Sequence, residues 1–90
     1  MRKDFNDEEK MALLKVAYLI EMKWKEDYPS VTQFARQVKV DEKTIRKIIK
    51  AELNPSFLIL HRISSALSFD SLADFFVEVE RFVPKSKKKK

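Results

Sequence analysis

Glycine and cysteine are both missing from these 90 residues, which hold only three prolines and one histidine. Average usage would supply about six glycines. Tight hairpins usually place Gly or Asn-Gly at their turns. Their absence, with few alternating apolar patterns, speaks for an all-helical chain and removes every glycine-rich phosphate loop. Without cysteine there is no disulfide framework and no thiolate metal site. The lone His61 stands beside an apolar position, Leu60, with no partners for a metal. No nucleophile, base and orienting group come together, so neither catalysis nor a cofactor is expected. Long hydrophobic runs are lacking too, which excludes a membrane-spanning helix. The N-terminal MRKDFNDEEKM turns acidic where a secretory signal would need its apolar core. A soluble cytoplasmic protein is therefore expected, with residues 1–84 forming one domain.

The net charge of +5 is unevenly spread. Five of the 19 basic residues lie in 85–90, KSKKKK, and the other 14 equal the 14 acidic residues. That tail is expected to be disordered. Basicity is thus a property of the tail, with one exception. Between Ser30 and Asn54, six basic residues meet three acidic ones, and such a local excess says more than the total.

Apolar spacing and capping signals mark five helices. The first opens after Asn6, which forms an N-x-x-E capping box with Glu9, and runs to about Lys25. Met11, Leu14, Val16, Ala17, Tyr18, Leu19, Ile20 and Met22 make it apolar around much of its girth, so it is expected at the centre of the fold. Ser30 and Gln33 box the second helix, about 31–38. Asp41 caps the third, about 42–51. Asn54 caps the fourth, with Pro55 at its first position and Phe57, Leu60, Ile63 and Leu67 as its buried stripe. The fifth runs from Asp70 or Ser71 to about Phe82, where Pro84 stops it. Trp24 and Tyr28 are expected to cover the junction of the first two helices.

Within SVTQFARQVKVDEKTIRKIIKAELN, residues 30–54, two short helices meet at a tight turn. Ala35 is small where the helices must cross closely, and Val40 fills the turn. Ile45 and Ile48 anchor the third helix on the core. Glu42, Lys43, Arg46, Lys47 and Lys50 then face outward by geometry, as a polar and mostly cationic surface suited to a DNA major groove.

On Ala35, Val40, Ile45 and Ile48, with Asn54-Pro55-Ser56-Phe57 through Ala66-Leu67, the chain resembles the lambda-repressor-like helix-turn-helix family of phage and plasmid regulators. The resemblance spans about Leu13 to Phe76. Lys39 stands where that family usually has glycine in the turn, and a left-handed backbone there would cost roughly 1 kcal/mol. Ala51 and Glu52 stand near a second usual glycine, and Val31 where many relatives have glutamine. Ser68 to Ser71 is one residue longer than the common pattern. What the resemblance implies is a compact five-helix DNA-binding domain acting as a transcriptional regulator, a repressor by simplest analogy.

The expected base-contacting residues are Glu42, Lys43, Arg46 and Lys47, the lysines favouring guanine and Glu42 able to accept from a cytosine amino group. Ser30, Val31 through its backbone, Arg36, Lys50 and Asn54 are the phosphate candidates. The lysine tail reads either as an electrostatic arm that adds sequence-independent affinity by counterion release or as a solubilising segment, the first being favoured because residues 1–84 carry no net positive charge. Phe75, Phe76, Val79, Phe82 and Val83 are much apolar surface for a terminal helix, and part of it is expected to form a symmetric homodimer contact. The alternative is a protein-interaction module, such as an antitoxin or helical adaptor, whose protein partner binds that same face.

Overall fold

The computed structural model describes residues 6–82, all of whose regular structure is helical: α1 Asp7–Asp27, α2 Val31–Val38, α3 Glu42–Ile49, α4 Phe57–Ala66 and α5 Leu72–Arg81. Val83 and the lysine tail lie outside the described residues. No described helix is long and apolar enough to cross a membrane.

A polar side chain opens every helix. Asn6, Ser30, Asp41, Ser56 and Ser71 each accept a hydrogen bond from the backbone N–H three residues on. This satisfies a donor that the first turn leaves unpaired. At the start of α1 the bond is reciprocated, with Asn6 N–H donating to Glu9 Oε1 at 3.0 Å.

Three helices end alike. Lys39, Ala51 and Ser68 adopt φ of 69°, 61° and 70° just beyond α2, α3 and α4. The next N–H then reaches back five residues in each case: Val40 to the Ala35 carbonyl, Glu52 to Lys47, and Phe69 to Ser64. This closure normally uses glycine, and here three side-chain-bearing residues perform it.

The core gathers around Phe34 of α2, which has no solvent exposure. Trp24 stacks on it with ring centroids 6.4 Å apart, and Tyr28 tilts against it at 5.4 Å. The Tyr28 hydroxyl donates to the Ala66 carbonyl at 2.7 Å, tying the end of α1 to α4. Burial, with the charge of Asp27, pushes that phenol above its ordinary pKa, which keeps it a neutral donor. Leu19 and Ile20 of α1, Val38, Ile45, Ile48, Ile63 and Phe75 complete the interior.

Several expectations change. Helix α1 is central but buries one face, leaving Met11 and Met22 exposed. Helix α3 stops at Ile49 because Ala51 turns left-handed. Helix α4 begins at Phe57, capped by Ser56 and not Asn54, while Pro55 is buried ahead of the cap. Phe57 is 71 % exposed. The expected stripe opens with two steps of three residues, and each such step drifts about 60° around a helix. Two steps separate Phe57 from the buried Ile63, which turns Phe57 well away from the core.

Candidate nucleic-acid interface

Helices α2 and α3 cross at the turn Lys39-Val40-Asp41. Phe34, Ala35 and Val38 on α2 and Ile45 and Ile48 on α3 are buried against one another and the remaining core. Val40 is half-buried in the turn, and Arg62 Nη1 of α4 donates to the Lys39 carbonyl at 3.3 Å. With its isoleucines held inward, α3 presents its opposite side to solvent. Lys43, Arg46 and Lys47 are exposed on its outer side, and Lys50 at its end is exposed beside them.

Two acidic residues shape the start of α3. Asp41 accepts from the Thr44 hydroxyl at 2.8 Å and from the Thr44 N–H at 3.1 Å. Those bonds, aided by nearby Lys43, hold its carboxyl below the ordinary range. Glu42 uses both oxygens. Its Oε1 accepts from the Thr32 hydroxyl of α2 at 2.7 Å, and its Oε2 accepts from Arg46 Nε at 2.8 Å and Nη2 at 2.6 Å. The Thr32 hydrogen bond and then Arg46 lower the Glu42 pKa. Thr32 thus joins the candidate interface, although its separation of ten positions from Glu42 matches no periodicity that would reveal the pair.

The other expected contacts distribute as follows. Val31 is buried, so only its backbone can meet a ligand, together with the free N–H groups of the first turn of α2. Ser30 is half-buried and committed to the Gln33 N–H, while Arg36, Lys50 and Asn54 are exposed. Asn54 is released from its expected capping duty by Ser56. Beside the start of α2, a cleft of about 310 Å³ is lined by Glu21, Trp24, Val31, Arg46, Ile49 and Lys50. The Trp24 indole N–H is buried without a hydrogen-bond acceptor.

The fold divides the expected dimer face between the protomer's own core and its surface. Phe75 is wholly buried and Val79 is 5 % exposed, both inside the protomer's own core, and Phe82 packs partly against it. Among the described members of that set Phe76 alone is exposed, and Val77, absent from the expectation, accompanies it. Leu58 is exposed beside Phe57 on α4. The large apolar residues of α5 fall at spacings of three, four and seven, which did not say how many of them would close the core.

Comparison with known proteins adds no relative: no family model, curated protein or solved structure matches this chain.

Proposed function

We propose that the chain is a small sequence-specific DNA-binding regulator of the helix-turn-helix type, reading the major groove with α3. One observation carries this reading. The buried Ile45 and Ile48 turn Lys43, Arg46 and Lys47 outward together, and Lys50 extends the cationic surface at the helix end. A major groove about 12 Å wide admits such a helix, and lysine and arginine are its usual readers of guanine. The start of α2, with its unpaired N–H groups, suits a backbone phosphate and would set the docking register. The lambda-repressor-like resemblance of Ala35, Val40, Ile45 and Ile48 supports the same assignment. Repression by blocking access to a promoter is the simplest action for a domain of this size.

Selection of bound duplexes from a random library tests the proposal. The wild-type chain should recover a motif, and Lys43→Ala/Lys47→Ala should lose preference at the positions those lysines read, at roughly 1–3 kcal/mol per lost base contact. Removing residues 85–90 should weaken all duplexes alike and flatten the salt dependence. A double variant that selects the same motif with equal affinity would refute the role of α3. A second reading, a protein-docking module, draws on exposed Phe76 and Val77 of α5. It gains ground if the wild-type chain recovers no motif.

A further inference from the structure

Resting on that DNA-binding reading, we propose that Glu42 is a positioning residue and not a base reader: it holds Arg46 in the orientation that recognises one guanine. The carboxylate is already occupied. Of about four acceptor positions on a carboxylate, one takes the Thr32 hydroxyl at 2.7 Å and two take Arg46 Nε and Nη2 at 2.8 and 2.6 Å. A cytosine amino group would have to compete with three good bonds for what remains.

The same contacts decide what Arg46 offers. A guanidinium has five N–H donors in a rigid plane. Glu42 engages the Nε side, which leaves the second Nη2 donor and both Nη1 donors along the far edge. That edge is the fork that fits guanine O6 and N7 in a bidentate pair.

An isolated exposed ion pair on one helix would hold an arginine only weakly, and the Arg46 and Glu42 side chains are 55 % and 36 % exposed. What distinguishes this pair is its third member. Thr32 belongs to α2, so the carboxylate is fixed from a second helix and gives Arg46 a stationary anchor. Part of the arginine's rotational freedom is therefore lost before DNA arrives. Lys43 and Lys47, with a single ammonium on a flexible stem, tolerate more positions. Sharp preference at one base pair belongs to Arg46, and its sharpness depends on Glu42 and Thr32.

The test compares the full-length wild type with Arg46→Ala, Glu42→Gln and Thr32→Val in duplex selection, with nitrogen-15 NMR of the Arg46 Nε–H in the absence of DNA. Arg46→Ala should lose about tenfold discrimination at one guanine. Glu42→Gln should lose most of it at that same position, and Thr32→Val should lose part. Combining Glu42→Gln with Arg46→Ala should add nothing to Arg46→Ala alone. In the free protein, the ordered Nε–H signal of Arg46 should become mobile in Glu42→Gln, with helix content by circular dichroism unchanged. A motif unaltered by Glu42→Gln overturns the inference and leaves the DNA-binding reading intact. Loss of preference at a different base pair would make Glu42 a reader in its own right and also overturns it. A wild-type chain that selects no motif overturns both.

Discussion

Lys39, Ala51 and Ser68 each hold a backbone conformation that costs a residue with a Cβ about 1–2 kcal/mol. All three serve one purpose, which is to let the following N–H close the end of a helix. In a chain without glycine the strain is accepted three times, offset by the hydrogen bond it allows but still larger than glycine would carry. Glycine at each site should therefore stabilise the fold, reduced by the extra entropy glycine lends the unfolded chain. We expect a net gain approaching 1 kcal/mol per site, or a rise in Tm of about 4–8 °C in a domain of this size. Lys39→Gly, Ala51→Gly and Ser68→Gly act at the ends of three different helices, and the combined variant measures how far they add. Ala12→Gly in α1, exposed and inside the helix, provides the opposite sign, a loss of about 1 kcal/mol. Thermal unfolding of the four variants checks the pattern, and a loss at all four positions would contradict it. Two of these residues were legible in advance because they stand at or near places where a resembling family has glycine. Ser68 was visible only as a segment of unusual length, since serine is an ordinary turn residue and carries no left-handed signature.

Between α2 and α3 the connection is electrostatic as well as apolar. Ala35, Ile45 and Ile48 set the crossing, and Thr32, Glu42 and Arg46 link the exposed rim. The buried part was readable from spacing alone, since 3.6-residue periodicity assigns a face without knowing the partner. The rim was not, because a hydrogen bond between residues ten apart exists only once the helices have crossed. The rim also has a pH signature. Asp41 and Glu42 are held below the ordinary carboxylate range, both mainly by hydrogen bonds. Their folded pKa values lie below the unfolded ones, so near the acid end the unfolded chain binds more protons. The stability they contribute is complete above the ordinary range and is lost as pH falls through their folded values. Unfolding midpoints measured from neutral pH down to about 3 should therefore fall less steeply in Asp41→Asn/Glu42→Gln than in the wild type. Asparagine caps a helix as well as aspartate does, so the comparison isolates the proton linkage. Parallel acid limbs in the two proteins would show that neither carboxylate is linked to folding.

For the molecule as a whole, the open question is whether two copies associate. Sequence spacing showed that α5 is rich in apolar side chains but not how the protomer would divide them, because a helix at a chain's end can serve either its own core or a partner. The fold places Phe75 and Val79 in the core and leaves Phe76, 39 % exposed, with Val77, 51 % exposed. Glu80 follows Phe76 by four residues and Val77 by three, so it stands in the same strip. Across a two-fold axis each surface meets its own copy. A symmetric α5 contact would therefore bring Glu80 close to its counterpart, with exposed Asp74 and Glu78 at its margins and Arg81 as the one basic residue within α5 itself. Removing a carboxylate from water without a partner costs more than so small an apolar strip returns. We therefore expect the free protein to sediment as a monomer at tens of micromolar, with any pairing on DNA supplied by the spacing of its sites. Glu80→Leu removes the charge and joins Phe76 to Val77 in one apolar band. That variant should show concentration-dependent self-association that the wild type lacks, while Phe76→Ser should leave sedimentation unchanged. A wild-type dimer dispersed by Phe76→Ser would place the contact on α5 after all and show that Glu80 finds a partner across the axis.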